Sequence, residues 1–169
     1  MALPTAFSVC FVCTGNICRS PMAASVFRAR VDEAGLGGLV RVDSAGTDGW
    51  HEGDGADPRT VSVLEAAGYE SGHVARRFQV SWFSRLDLVI ALDSGHHRTL
   101  RRLAPTPDDA DKVRLLRSYD PVAVSLGDLD VPDPYYGDDE GFDACLRMVE
   151  AASDGLLGAV REAREGRAA

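Results

Sequence analysis

Residues 10–21, Cys10-Phe11-Val12-Cys13-Thr14-Gly15-Asn16-Ile17-Cys18-Arg19-Ser20-Pro21, decide how the chain is read. The apolar run Phe7–Val12 leads in, and a helical pattern leads out beyond Pro21. The spacing predicts a strand, a tight loop and a helix, with a thiol and a guanidinium at opposite ends of the loop. A thiolate is favoured beside a helix N-terminus and a fixed cation, and Cys13 gains both, from the helix starting near Ser20 and from Arg19. The Ser20 hydroxyl is a further donor to it. Backbone N–H groups of residues 14–19, curled inward, form an anion nest. Arg19 grips two phosphate oxygens at once, which a lysine cannot do. Gly15 permits positive φ with no Cβ in the way, and Asn16 is the next most tolerant residue of that conformation. The device suits a nucleophile attacking a bound phosphate.

Working outward, four short apolar runs read as strands: Phe7–Val12, Leu39–Ser44, Leu86–Leu92 and Val113–Leu115. Helical patterns lie between them. Met22, Ala23, Val26, Phe27 and Ala34 recur at helical spacing, with Pro21 in the first turn and Gly35 past the end. Val61, Leu64 and Ala67 form a second apolar face stopped by Gly68, and Leu100, Leu103 and Ala104 a third stopped by Pro105. A long last stripe runs from Phe142 through Cys145, Leu146, Val149, Ala152 and Leu156 to Val160. Strands alternating with helices predict an α/β fold with a mostly parallel sheet. Ligands of such sheets bind beyond the carboxyl ends of the strands, where Cys13 falls. Ser118–Gly141, rich in Asp, Pro and Gly, is expected to be a long functional loop.

At 169 residues the chain fits one domain, 1–169, with its core from about 7 to 164. A net charge of −8 makes the whole surface a poor partner for nucleic acid or an anionic membrane, so an anion site must be built locally. Lys112 is the single lysine beside 17 arginines, a bias that fits a GC-rich bacterial genome. No leader segment and no membrane span is evident, and four cysteines without a leader suggest free thiols in a reducing cytoplasm.

Cys10, Cys13 and Cys18 have a spacing that superficially suits a metal cluster. Against it, Cys10 and Cys13 are an odd step apart on a strand and point to opposite faces, and no fourth ligand is near. Cys10 and Cys145 read as core, and the adjacent pair His96-His97 points in different directions on a helix. No metal and no cofactor is expected.

The stretch Val12–Pro21 resembles the phosphate-binding loop of the low-molecular-weight protein tyrosine phosphatases. Asp133-Pro134-Tyr135-Tyr136-Gly137 resembles the family's acid loop, and Asp43-Ser44-Ala45-Gly46-Thr47 with Trp50-His51 is a third match. His73-Val74-Ala75-Arg76 and Ala91-Leu92-Asp93 are weaker ones, and all fall in the family's order. The resemblance is to a bacterial, actinobacterial-like member. It implies a four-stranded parallel sheet in the order 2-1-3-4 with helices on both faces. It also implies hydrolysis of phosphotyrosine through a phosphocysteine on Cys13, with Arg19 stabilising the transition state and Asp133 as general acid and then base. Thr14, Gly15, Asn16, Ile17, Cys18 and Ser20 would bind the phosphate, and Trp50, Tyr135 and Tyr136 would wall the aromatic ring. Ser44, His73 and Asp93 would join Asn16 in a hydrogen-bond network bracing the loop. Asp120 and Asp130 read as solvated loop carboxylates. Cys18 is expected to capture an oxidised Cys13 as a disulfide. Phosphotyrosine proteins are the expected partners, inorganic phosphate a product or inhibitor, and the expected state is a monomer.

Other chemistry uses the same fold. An arsenate reductase needs relay cysteines, and neither Cys10 nor Cys145 is placed for it. An arginine phosphatase resembles this loop but carries threonine where this chain has Ile17, whose apolar branch suits a phenyl ring. A non-catalytic phosphotyrosine-binding module would lack Cys13 or Asp133. The acidic stretch His51–Asp57 is expected to disfavour acidic peptides, with Arg59 partly offsetting it.

Overall fold

The computed structural model describes residues 6–168. Phe7–Cys13 (β1), Val40–Gly46 (β2), Leu88–Ala91 (β3) and Val113–Leu115 (β4) form one sheet in the order β2-β1-β3-β4, with every neighbouring pair parallel. The α-helices are α1 (Arg19–Glu33), α2 (Pro58–Ala66), α3 (Ser94–Leu103), α4 (Pro107–Asp111), α5 (Pro121–Leu126) and α6 (Asp139–Ala168). The expected single α/β domain and strand order are present.

Central β1 is buried along its whole length, which explains its unbroken apolar run. Its side chains alternate between two cores. Phe7, Val9, Phe11 and Cys13 face α1, α2 and α6, meeting Met22, Phe27, Leu64, Val149 and Leu156. Cys10 and Val12 face the opposite way, toward Leu100 of α3 and toward Phe78, Phe83 and Leu86. Phe11 and Phe27 meet edge to face with ring centroids 5.6 Å apart. Cys10 is thus a small core residue on the face away from Cys13.

The strand ends differ from expectation in a useful way. β1 and β2 run on to Cys13 and Gly46, which pair with each other, because Ala45 and Gly46 continue the ladder opposite Val12 and Cys13. β3 is shorter than Leu86–Leu92. Leu86 N donates to the Trp82 carbonyl at the end of a 3-10 turn, Val80–Ser84, and the Leu92 carbonyl accepts from Val131 N. That last bond ties the end of β3 to the segment carrying Asp133.

Ser118–Gly141 is less irregular than its composition suggested. A 3-10 turn, Leu116–Tyr119, precedes α5, whose N-cap is Asp120 with Pro121 behind it. Asp120 is therefore a capping residue rather than a solvated carboxylate. Gly155 of α6 faces this turn, where any Cβ would run into the Tyr119 carbonyl.

Candidate active site

Residues Thr14–Cys18 connect β1 to α1 at the carboxyl edge of the sheet. Apart from Gly15, their carbonyls turn outward, as does that of Cys13. Cys13 O accepts from Thr47 N, Thr14 O from Asp48 N, and Ile17 O from Asp57 N. Asn16 O accepts from His73 Nε2 at 2.6 Å and Cys18 O from Thr60 Oγ1 at 3.4 Å. In a trans peptide the N–H points opposite to the carbonyl it is bonded to. The N–H groups of Thr14, Gly15, Ile17, Cys18 and Arg19 therefore face the inside of the loop. Among the described residues none of them has a protein acceptor.

Asn16, not Gly15, takes the left-handed conformation, with φ 57°. Its side chain makes that conformation worthwhile. Nδ2 donates to Ser20 Oγ at 2.8 Å and to Ser44 Oγ at 2.9 Å, while Oδ1 accepts from Arg76 N at 2.9 Å. Asn16 is wholly buried, so each of these bonds replaces one lost to water. Gly15 is small for another reason: a Cβ there would sit 3.0 Å from the His51 ring. Gly46 is the tighter constraint, because its Cβ would lie 2.6 Å from Thr14 O and 2.9 Å from Asp48 O, both backbone atoms.

The Cys13 sulfur lies 2.9 Å from Ser20 Oγ and 3.4 Å from Ser20 N. Asn16 already donates to Ser20 Oγ, so the single hydroxyl proton is free to point at sulfur, with Ala45 O a longer alternative at 3.3 Å. A thiolate here finds two donors waiting. The other three cysteines are held as thiols. Burial and the nearby Asp43 push the Cys10 thiol up to about 12, burial and Asp57 push Cys18 to about 12, and burial raises Cys145 to about 11.

Arg19 is almost wholly buried. Its Nη1 donates to Asp93 Oδ2 at 2.8 Å and to Val131 O at 2.9 Å, which uses both of that nitrogen's protons. The edge formed by Nε and Nη2 is left to meet two oxygens of an anion. Asp133 lies beyond it, Oδ2 at 3.7 Å from Arg19 Nη2 and Oδ1 accepting from Tyr135 N. A pocket of about 160 Å³ joins these groups, lined by Cys13, Thr14, Gly15, Ile17, Cys18 and Arg19 below and by Trp50, His51, Asp133, Tyr135 and Tyr136 above. Trp50 is 81% exposed and Tyr136 91%, whereas Tyr135 is 39% exposed, stands edge to face with Tyr136 and lies over the Arg59 guanidinium.

The structure thus brings together every residue that the sequence singled out for the site, with Ser44, His73 and Asp93 around the loop. One expectation needs correction. Asp130 is not simply solvated: its carboxylate accepts from Ser94 N and Ser94 Oγ at 2.8 and 2.7 Å, and its carbonyl accepts from Arg117. Arg59 offsets the acidic stretch at one position, Asp57. Its guanidinium is taken by both oxygens of Asp57 and stacks over Phe142, 4.4 Å from the ring centroid.

One supporting residue escaped the sequence reading. His96 Nε2 lies 2.8 Å from Thr14 Oγ1, across 82 positions of sequence. Its Nδ1 is 3.1 Å from Asp93 Oδ1 but out of line for a hydrogen bond, so that nitrogen has no partner. Burial holds the ring neutral, down to about 4, against the pull of the Asp93 charge. Burial acts to raise Asp93, but the bonds from His96 N and Arg19 outweigh it and lower the carboxyl below its ordinary value. The only sequence signal for His96 was its place three residues after the helix-capping Asp93.

The model of the family described as low molecular weight phosphotyrosine protein phosphatase matches residues 8–166. A Streptomyces coelicolor low molecular weight protein-tyrosine-phosphatase is 74% identical over 163 residues, 96% of this chain and 99% of that one. Low molecular weight protein-tyrosine phosphatase A of Mycobacterium tuberculosis is 47% identical over 148 residues, 88% of each chain. The crystal structure of an Entamoeba histolytica protein tyrosine phosphatase superposes with a TM-score of 0.88 at 31% identity, covering 94% of this chain and 99% of that one.

Proposed function

The chain belongs to the low molecular weight phosphotyrosine protein phosphatase family, and from that premise we propose that it hydrolyses phosphotyrosine in proteins through a phosphocysteine on Cys13. The observation that carries this reading is the ring of inward N–H groups closing on the Cys13 sulfur and the free edge of Arg19. Five N–H groups and that guanidinium edge match the equatorial oxygens of a transferring phosphoryl group.

Cys13 thiolate attacks phosphorus in line, and the bond to the phenol oxygen breaks. Asp133, protonated, gives its proton to the departing phenolate. As a carboxylate it then takes a proton from the water that attacks the phosphocysteine, releasing inorganic phosphate and restoring the thiolate. The nest and Arg19 hold the charge through both steps. Ile17 on the floor and Trp50 and Tyr135 on the walls form an apolar slot suited to a phenyl ring, and Tyr136 extends its rim. The free state of all four cysteines supports placement in a reducing cytoplasm. The monomeric state remains our reading of the sequence. Under peroxide, the Cys18 thiol condenses with a Cys13 sulfenic acid, expelling water, and an external thiol restores both. A Cys18→Ser protein that recovers from peroxide as fully as wild type would refute that step.

Initial rates on a phosphotyrosine and a phosphoarginine peptide, without added metal, test the assignment. Phosphotyrosine should be strongly preferred. Cys13→Ser should abolish turnover, and Asp133→Ala should slow it by about 10²–10⁴-fold. Preference for phosphoarginine would overturn the reading of Ile17. Phosphopeptide binding without turnover would make the chain a binding module.

A further inference from the structure

A second cleft, of about 600 Å³, adjoins the phosphate loop on the side of Thr47, Asp48 and α3. Thr14 lines both hollows. The stretch 47–51 separates them, with Thr47 and Asp48 on the cleft wall and Trp50 and His51 on the pocket wall. Arg77, Arg98 and Arg102 line the cleft, and all three are exposed.

Among the described residues, no carboxylate lies within ion-pair distance of any of these three guanidinium groups. Other arginines, such as Arg101 and Arg114, also lack an ion pair among the described residues; what sets these three apart is that they line one cleft. The cleft thus gathers three guanidinium groups that no carboxylate neutralises. Arg102 has an ordinary explanation in the last turn of α3, where a cation suits the helix dipole. Arg98 sits one turn earlier, where a like charge four residues away weakens the helix. Arg77 arrives from a different element, the bridge that pairs it with Gly46. Two carboxylates also line the cleft. Asp93 is occupied by Arg19, and Asp48 alone leaves the arginines in excess.

We propose that this cleft holds an acidic segment of the phosphotyrosyl substrate while the phosphotyrosine itself occupies the Cys13 pocket. The inference rests on the phosphatase reading above and gives that reading a substrate class: phosphotyrosines flanked by runs of Asp or Glu. A substrate chain crossing the wall at 47–51 passes from one hollow into the other. The stretch 51–57 also carries the exposed Asp54, so an acidic run meets a like charge there and is drawn toward the arginines. The contacts are exposed and salt-screened, so their expected effect is moderate and falls with ionic strength.

The test compares kcat/KM for phosphotyrosine peptides with a run of acidic residues before the tyrosine, after it, or replaced by Gln and Asn. Wild type should favour one acidic arrangement about tenfold at low salt, through KM. The advantage should shrink toward parity in Arg77→Gln/Arg98→Gln/Arg102→Gln, each variant being referred to its own rate on the neutral peptide. An equal preference in wild type, or an advantage kept in the triple variant, would overturn the proposal. Failure to hydrolyse any phosphotyrosine peptide would instead strike the phosphatase reading. In that case anisotropy of a labelled acidic peptide, with wild type against the triple variant, still decides the cleft: tighter binding to wild type supports it, and equal binding sinks it.

Discussion

Asn16 shows how much of this site depends on single atoms. It accepts a backbone conformation that costs most residues about 1–2 kcal/mol, and three side-chain hydrogen bonds hold it there. Gly46 is the complementary case, since its missing Cβ is what lets the loop lie against β2. Gly46→Ala must push two backbone carbonyls aside, and kcat should fall by about 10²-fold through misplacement of the loop. Rates on p-nitrophenyl phosphate, with the thermal midpoint recorded alongside, measure this. His96 carries a pH signature. Its folded value, about 4, lies below the ordinary value of about 6.5, so the unfolded chain binds the proton more readily. Its contribution to stability is complete above about pH 6.5 and is lost as pH falls toward 4, amounting to about 3 kcal/mol for the full shift. The lowered carboxyl of Asp93 adds a loss in the same direction at the acid end. Denaturant melts of wild type and His96→Asn between pH 7 and 4 should show a shallower decline in the variant.

At the level of elements, the acid loop is anchored rather than free. Asp130 fastens it to the start of α3, Arg117 holds the Asp130 carbonyl, and Val131 joins the end of β3. Asp130→Ala should therefore lower kcat by about 10–10²-fold while Asp133 is still present. The loss should be larger for phenyl phosphate than for p-nitrophenyl phosphate, whose better leaving group has less need of a proton. Equal losses on both would show that Asp130 does not act through Asp133. Gly155→Ala should cost about 1–3 kcal/mol, read by denaturant unfolding, because α6 can no longer approach the Leu116–Tyr119 turn.

These elements also show what a sequence can disclose. The strand, loop and helix around Cys13 were legible because their signals are local: an apolar run, a Gly-Asn pair and a proline in the first turn of a helix. The outer ends of β2 and β3 were not, since pairing with β1 set them. His96 and Asp130 were missed for the same reason. Their partners, Thr14 and Ser94, lie 82 and 36 positions away, and nothing in a short window says that the distances close. Gly15 and Asn16 were both recognised as turn residues, yet which one takes positive φ depends on Ser44 and Arg76, far along the chain.

Considered whole, the molecule places its pocket where the chain winds outward from β1 to both sides, with a dry core on each face of the sheet. No helix among the described residues is long and apolar enough to cross a membrane. Anion binding at the loop engages β1, α1 and, through Asp93 and Val131, the end of β3 and the acid loop. Inorganic phosphate at a hundred times its dissociation constant should therefore stabilise the entire fold by about 2.7 kcal/mol, raising the melting midpoint by about 5–10 °C. Arg19→Lys should lose most of that rise, as differential scanning fluorimetry would show. A shift of the same size in the variant would remove the guanidinium from phosphate binding.

The contrast between the sunken floor and the bare Trp50 and Tyr136 above it has an evolutionary reading. Side chains that touch little of their own protein can be exchanged with little penalty in folding, whereas each floor residue answers to several neighbours at once. Lineages are thus free to retailor the collar of this vessel to new clients while the vessel's base stays as it was cast. Divergence among relatives should gather at positions 50 and 136 long before it touches 16 or 46.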